Sequence, residues 1–203
     1  MSATEQQSIT RVPRMAVFVS GSGRTLENFF QRIDAGTLRA EIPLVVASRE
    51  CRGAELARAR AVVPHASPTR TEVIPWRAHT RESLDALLRS ANVQWCVLAG
   101  YLHLLPIPEA FKGRVVNIHP ALLPDFGGPG MYGHKVHQAV IAAGAKHTGC
   151  TVHLCDDEYD RGPIIAQASC EVRPDDTPET LARRVFELEL DLYPRALTKL
   201  FGG

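Results

Sequence analysis

The 203-residue sequence lacks the features that mark several specialised classes of protein. Its formal net charge is only +1, which argues against a basic nucleic-acid surface and against an acidic interaction tail. No apolar run approaches the roughly 20 residues that a membrane-spanning helix needs. The hydrophobic content of 45% is nevertheless enough to bury the core of a domain. We therefore predict a globular protein that binds neither nucleic acid nor membrane.

A disulfide framework is not indicated either. The five cysteines are an odd number and include no C-x-x-C pair, which is typical of reduced thiols. Residues 1–14 are polar and lack the apolar centre of a signal peptide. We expect a flexible tail over residues 1–14, a folded domain over residues 15–203 and a cytoplasmic location.

Signatures of a covalent nucleophile and of a metal centre are missing as well. The sequence has no G-x-S-x-G motif. His134 and His137 lie one helical turn apart, but no third ligand is near, which favours a histidine pair on the surface. Cys150 would face the opposite side of a strand from His153 and Cys155, so these three residues cannot easily share a metal.

What the sequence does contain is an alternation of apolar, β-forming runs with helical patterns. Helices are predicted over 26–36, 51–61, 80–91, 134–143 and from Thr177 onwards. Strands are predicted over 15–20, 42–48, 63–68, 94–100, 114–120, 148–156 and 163–172, with a loop over 69–80. Such alternation is typical of a parallel sheet. We predict an α/β fold, a single-domain Rossmann-like three-layer sandwich with a mostly parallel central sheet and helices on both faces.

Several helix boundaries are predicted from capping residues. Thr25 can cap the first helix and Gly36 can end it. Thr177, followed by Pro178, has the pattern of a capped start of the last helix. Pro194 would kink or interrupt that helix.

The Gly-Ser-Gly-Arg-Thr segment after the first strand is a candidate anion site. Unpaired backbone N–H groups at such a turn can bind a phosphate, and Arg24 and Thr25 would add side-chain donors. The segment does not have the ending of a Walker loop. It is equally compatible with an ordinary tight turn between a strand and a helix.

The segment Arg114–Pro124 contains the strongest catalytic pattern. Asn117 and His119 are two residues apart on a predicted strand, so both side chains point to one face. An amide beside an imidazole can polarise a carbonyl and move a proton. We expect the glycine-rich turn, this pair and the acidic turn at 156–160 to lie at carboxyl ends of parallel strands around one cleft. These groups suit direct acyl transfer better than a covalent acyl-enzyme.

The leucine-rich loop after the strand at 94–100 has two interpretations. Its leucines either seal the core or line an apolar slot at the sheet edge where open α/β sheets bind ligands. The segment 163–172 can likewise form a hairpin with 148–156 or pair with it through a wider loop.

Four segments together resemble the folate-dependent formyltransferases, over nearly all of residues 15 to 200. They are SGSGRTLENF, LAGYLHLL, NIHPALLP and GCTVHLCDDEYDRGPII. The resemblance implies 10-formyltetrahydrofolate as formyl donor, no metal, and a monomer or homodimer. Small single-domain members formylate the amine of 5-phosphoribosylglycinamide in purine biosynthesis, and this acceptor is the one expected here.

The resemblance also implies residue roles. Asn117 would hydrogen-bond the formyl oxygen, His119 would act as general acid, and Asp160 would hold His119 in its protonated form. The substrate phosphate would be held by Gly23, Arg24 and Thr25. The folate would be held by Arg81, Leu102, His103, Leu104, Leu105, Asn117, Cys155 and Asp156. The Leu123–Pro124 peptide bond would be cis.

The sequence departs from the family pattern at three places. The usual Gly-Asn-Gly-Ser-Asn turn is replaced by Gly-Ser-Gly-Arg-Thr, in which Arg24 can supply a strong phosphate donor. Ser169 stands where many members have a phosphate-binding lysine, and His103 where arginine is frequent. These changes leave two alternatives open. The first is another acceptor, either water or a sugar amine. The second is a non-catalytic nucleotide-binding module, in which Asn117, His119 and Asp160 would not converge.

Overall fold

The protein is represented by a computed structural model that describes residues 12–63 and 67–202. Within these residues a sheet of seven strands has the order β3-β2-β1-β4-β5-β6-β7. The strands are β1 Arg14–Val19, β2 Glu41–Ala47, β3 Arg70–Val73, β4 Trp95–Leu98, β5 Val115–His119, β6 His147–Leu154 and β7 Ile164–Glu171. The helices are α1 Arg24–Asp34, α2 Arg52–Ala61, α3 Arg81–Ser90, α4 His134–Ala142 and α5 Pro178–Phe201. None of these helices combines the length and hydropathy needed to span a membrane.

The sheet is mostly parallel, as the alternation of strands and helices predicted. Strands β1 to β5 are mutually parallel, whereas β6 is antiparallel to β5 and β7 is antiparallel to β6. Apolar residues of α1, α2, α4 and α5 pack on one face, and those of α3 pack on the other. The predicted α/β class with helices on both faces is therefore confirmed, and 148–156 and 163–172 form the hairpin.

The third strand lies later in the chain than the strand predicted over 63–68, and part of that predicted range is not described. The strand β3 lies at Arg70–Val73, inside the segment predicted as a loop, and pairs with β2. Residues 64–66 lie outside the described part of the chain. The β-branched residues Thr69, Thr71 and Val73 favour an extended chain, and the Thr69 hydroxyl donates to the carbonyl of Ile42 at 2.8 Å. Pro75 ends the strand but does not prevent it.

The capping residues predicted for α1 and α5 are confirmed at two helix ends and wrong at a third. Thr177 caps α5, accepting from the Thr180 amide at 3.3 Å, as predicted. Thr25 does not cap α1, because the helix already begins at Arg24 with Gly23 as its N-cap at φ 72°. Gly36 follows the end of α1 as expected, with a φ of 69°.

Helix α5 continues through Pro194 without interruption. Proline has no N–H, so the carbonyl of Leu190, four residues earlier, loses its normal helical donor. The side-chain amide of Asn28 in α1 donates to that carbonyl at 2.9 Å, and Arg32 lies at 3.5 Å. The neighbouring helix thus supplies the hydrogen bond that Pro194 cannot.

Candidate active site

A cavity of about 710 Å³ opens at the edge of the sheet where β1, β4 and β5 end. The glycine-rich turn after β1 borders one part of it, and the loop after β4 borders another. The lining is completed by the end of β5, by the loop before α4, by the loop after β6 and by one face of α5. A cavity of this volume is within the usual range for small-molecule sites.

Asn117, His119 and Asp160 converge in this cavity. The sheet register sets Asn117 opposite His153 of β6, and Asn117 Nδ2 lies 3.2 Å from His153 Nε2. Asp160 Oδ2 lies 3.4 Å from His119 Nδ1, and Asp160 Oδ1 lies 3.5 Å from His153 Nε2. A non-catalytic module was expected to keep these three residues apart, so their convergence argues against that alternative.

Asp160 joins Asn117 and His119 from a different direction than the one predicted. Strand β6 is antiparallel to β5, so its carboxyl end lies at the amino end of β5, where the Cys155 amide donates to the carbonyl of Val115 at 2.8 Å. The acidic turn is therefore not at the carboxyl end of a parallel strand. The loop returns to the site, where Asp160, at a φ of 57°, accepts from the Gly128 amide at 3.0 Å.

The course of the loop after β6 is fixed by a close approach between the backbone at Gly162 and the backbone at Leu154. A Cβ on Gly162 would lie 1.8 Å from the carbonyl oxygen of Leu154. Only glycine allows the two segments to meet, because any side chain would push the acidic loop away from β6.

His119 is almost fully buried, with 3% of its surface exposed. Its Nε2 donates to the carbonyl of Phe126 at 2.8 Å, while Nδ1 faces Asp160. Burial lowers the pKa of His119, and the Asp160 carboxylate and Phe126 carbonyl offset this only in part. Desolvation thus outweighs the charge of Asp160 in its effect on this pKa, and the role of Asp160 in holding the ring protonated stays a prediction.

Asp160 remains ionised in the same environment. Its burial raises the pKa of the carboxyl, but contact with His153, the charge of His119 and the Gly128 amide together bring the pKa below its usual value. The site thus combines an ionised carboxylate with a ring that is readily neutral.

The glycine-rich turn is held rigidly against α2. A Cβ on Gly23 would lie 2.6 Å from the Cα of Gly53, so the turn and the start of α2 pack backbone to backbone. Thr25 is buried, whereas Arg24 is exposed and its guanidinium lies 3.6 Å from the ring centroid of Phe186 on α5. Ser169 lies on β7 and is not among the described residues that line the cavity. Arg24 is therefore the charged side chain that the turn itself contributes.

The loop after β4 fulfils both interpretations of its leucines. Leu105 is buried in the core, whereas Leu102 and Leu104 line the cavity with 43% and 41% of their surfaces exposed. His103 stacks on Trp76 with ring centroids 4.8 Å apart and an angle of 12°. The Leu104 amide donates to the Tyr159 hydroxyl at 3.0 Å, which links this loop to the acidic turn.

The remaining residues assigned to the folate divide into two groups. Cys155 and Asp156 line the cavity. Arg81 lies outside its lining, where the guanidinium donates to Asp157 at 2.7 Å and to the carbonyl of Ile107. The Leu123–Pro124 peptide bond is cis, as expected.

Several residues of the cavity were not predicted to belong to it, among them one histidine of α4 and two side chains of α5. His137 was expected on the surface with His134 but is only 4% exposed, and its Nδ1 has no hydrogen-bond partner among the described residues. Burial lowers the pKa of His137 to about 4. Phe186 and Glu189 reach the cavity from α5, and burial raises the pKa of Glu189 to about 7, against the opposing charge of Arg24. The spacing of three between Phe186 and Glu189 was the available signal.

The sequence matches known proteins over most of its length. A family model described as Formyl transferase matches residues 13–197. A chloroplastic phosphoribosylglycinamide formyltransferase of Arabidopsis thaliana is 41% identical over 186 residues, covering 90% of this chain and 63% of the relative. Its counterpart in Vigna unguiculata is 39% identical over 197 residues, covering 96% of this chain and 62% of the relative. The chain thus spans about three fifths of the length of these curated relatives.

Solved structures have the same fold. The phosphoribosylglycinamide formyltransferase of Brucella melitensis is 37% identical with a TM-score of 0.81, and the alignment covers 95% of this chain and 97% of that chain. The enzyme of Bacillus halodurans is 32% identical with a TM-score of 0.81, covering 92% and 94%. A formyltetrahydrofolate deformylase of Pseudomonas syringae has a TM-score of 0.80 over 95% of this chain and 62% of its own, at 22% identity, so that likeness concerns the fold alone.

Proposed function

The chain belongs to the formyl transferase family, and we propose that it transfers a formyl group from 10-formyltetrahydrofolate to the amine of 5-phosphoribosylglycinamide in purine biosynthesis. The observation that carries this proposal is the convergence of Asn117, His119 and Asp160 inside one cavity. An anion cradle at the start of α1 and an apolar wall formed by Leu102 and Leu104 border the same cavity.

The two substrates fit different parts of the cavity. The apolar wall and the exposed ring of Tyr159 suit the pteridine and aminobenzoyl groups of a folate. The turn at Gly23 and Thr25, with the guanidinium of Arg24, suits a phosphate monoester. The trio lines the same cavity as both of these parts, which supports a role at the formyl carbon and the attacking amine.

Asn117 polarises the carbonyl that is attacked. One hydrogen of its side-chain amide can point to His153, and the second remains for the formyl oxygen. As the amine attacks, negative charge develops on this oxygen, and a donor already held in position stabilises that charge.

His119 and Asp160 move the proton that must leave the amine. The lowered pKa of His119 makes the ring a proton acceptor at neutral pH, and the Asp160 carboxylate stabilises the imidazolium that results. The charged ring then acts as general acid and protonates the departing nitrogen of the folate, so the ring returns to its neutral form. No covalent bond between enzyme and formyl group is needed.

The proposal is tested with 10-formyltetrahydrofolate as donor and with 5-phosphoribosylglycinamide, a sugar amine or water alone as acceptor. We expect rapid loss of the formyl group only with 5-phosphoribosylglycinamide. Equal turnover in its absence would establish a hydrolase instead. Preference for the sugar amine would establish a different transferase.

We further propose a cytoplasmic location and a monomer or homodimer. All five cysteines are free thiols, which suits a reducing compartment. Cell fractionation addresses the location, since the two plant relatives are named as chloroplastic. Sedimentation of the purified protein addresses the oligomeric state.

A further inference from the structure

Arg49 lies beside the glycine-rich turn, although it belongs to a different strand connection. Strand β2 pairs with β1 so that Ala47 lies opposite Val19, and the Ser48 amide donates to the Val19 carbonyl at 3.0 Å. The Ser48 and Ser20 hydroxyls are hydrogen-bonded at 2.8 Å. Arg49 comes next in the chain and its side chain lines the cavity. Two adjacent strands therefore fix the position of this arginine at the edge of the turn.

The guanidinium of Arg49 is oriented by the turn itself. Its Nε donates to the carbonyl of Ser20 at 2.9 Å. A guanidinium has five N–H donors in a planar fork, so this bond leaves the two terminal nitrogens for another acceptor. Such a fork matches the oxygen atoms of a phosphate. The orientation exists before any ligand arrives, which lowers the entropic cost of binding.

The positive charge of Arg49 has no carboxylate partner at ion-pair distance among the residues that the structure describes. The adjacent Glu50 is engaged by Arg58 through two hydrogen bonds of 2.8 and 2.9 Å. Arg24, the other arginine of this region, stacks on Phe186 and likewise makes no ion pair at that distance within the described part of the chain. The charge of Arg24 acts on the carboxyl of Glu189, but burial outweighs it and raises the pKa of Glu189 to about 7.

We propose that Arg49 is a second phosphate-binding arginine, which acts with Arg24 to hold the phosphate monoester of the acceptor. This inference rests on the proposed function, because it assigns the acceptor phosphate to the turn at residues 20–25. Two guanidinium groups from two different connections match the double negative charge of a phosphate monoester. Ser169 stands where many family members have a phosphate-binding lysine, and it is outside the cavity lining. Arg49 supplies a positive charge in place of that lysine.

The test is Arg49→Gln, with Arg52→Gln as its matched control. Arg52 is an exposed arginine three residues along that does not line the cavity, so both variants lose one charge from the same neighbourhood. For Arg49→Gln we expect KM for 5-phosphoribosylglycinamide to rise about 10- to 100-fold, the usual effect of losing a charge-assisted hydrogen bond. The kcat and the KM for the folate donor should remain unchanged. Arg52→Gln should resemble the wild type.

Two further measurements decide between explanations. With an acceptor that lacks the phosphate, the difference between Arg49→Gln and wild type should disappear, because the contact itself is gone. A rise in the folate KM instead would assign Arg49 to the carboxylates of the donor and overturn the proposal. An equal rise in KM for Arg52→Gln would show that only the positive charge near the turn matters and not a contact of Arg49, and it would also overturn the proposal.

Binding of ribose 5-phosphate, measured by calorimetry, separates this proposal from the proposed function. Weaker binding to Arg49→Gln than to wild type and Arg52→Gln supports the arginine pair even if formyl transfer to 5-phosphoribosylglycinamide fails. Equal binding to all three proteins would contradict the pair even if the transfer reaction is confirmed.

Discussion

The ring of His119 lies between two oxygen acceptors, the carbonyl of Phe126 and the carboxylate of Asp160. Its burial favours the neutral form, whereas both acceptors favour the charged form. The balance at this single residue decides whether the ring accepts or donates a proton. Strand periodicity predicted that His119 and Asn117 share a face, but no sequence pattern gives the degree of burial that sets the pKa.

Replacing Asp160 by Asn should change both the rate and its pH dependence. We expect kcat/KM to fall about 100-fold, because the imidazolium loses its stabilising charge. Asp160 raises the pKa of His119, so its removal lowers that pKa further, and the acid limb of the pH–rate profile moves to lower pH. The exposed Asp125→Asn in the loop after β5 is the control and should leave both quantities unchanged. An acid limb that stays in place in Asp160→Asn would exclude coupling to His119.

At the scale of elements, the position of the Asp160 carboxylate depends on the direction of β6. Nine residues separate the end of β6 from the start of β7, which is too few for the crossover that parallel strands need. The hairpin was therefore readable in the sequence. The antiparallel pairing of β5 with β6 was not, because the intervening α4 is typical of a parallel crossover. That pairing is why Asp160 arrives by a returning loop.

Gly162→Ala and Gly149→Ala form an informative pair at this scale. Both glycines belong to the β6–β7 hairpin, and a Cβ would lie 1.8 Å from the Leu154 carbonyl oxygen and 1.9 Å from that of Ala168, respectively. We expect each variant to lose about 1–3 kcal/mol of free energy of unfolding, measured with denaturant. Only Gly162→Ala should also lose activity at a temperature where both proteins are folded, because it displaces Asp160. Equal specific activities would show that the loop position does not depend on this contact.

The whole molecule follows the architecture that its pattern of strands and helices predicted. Apolar runs and capping residues were sufficient for the layers of the sandwich, since the periodicity of apolar residues and N-cap chemistry are both local in sequence. The position of β3 was missed because weak edge strands depend on pairing with a neighbour more than on their own composition. His137 was misplaced for a related reason, because its burial comes from tertiary packing around the cavity.

The stability of the whole molecule should decrease in mild acid through His137. Its folded pKa of about 4 lies below the ordinary value of 6.5, so the unfolded chain takes up this proton first as the pH falls. Stability from this group is thus present above pH 6.5 and is lost towards pH 4, by at most about 3 kcal/mol. Denaturant titrations at pH 7 and pH 4.5 should show a smaller difference for His137→Gln than for wild type. The exposed His147→Gln, on β6, should retain the full difference, and equal differences in all three proteins would contradict this role.

Pro194 has a consequence beyond the course of α5. The carbonyl of Leu190 has no donor within its own helix, and the side-chain amide of Asn28 in α1 donates to it instead. Asn28 lies one turn from Arg24, and Leu190 lies one turn from Phe186, so this bond fastens together the two helices that carry the stacked pair. The hydrogen bond that α5 lacks internally therefore helps to hold Arg24 stacked on Phe186.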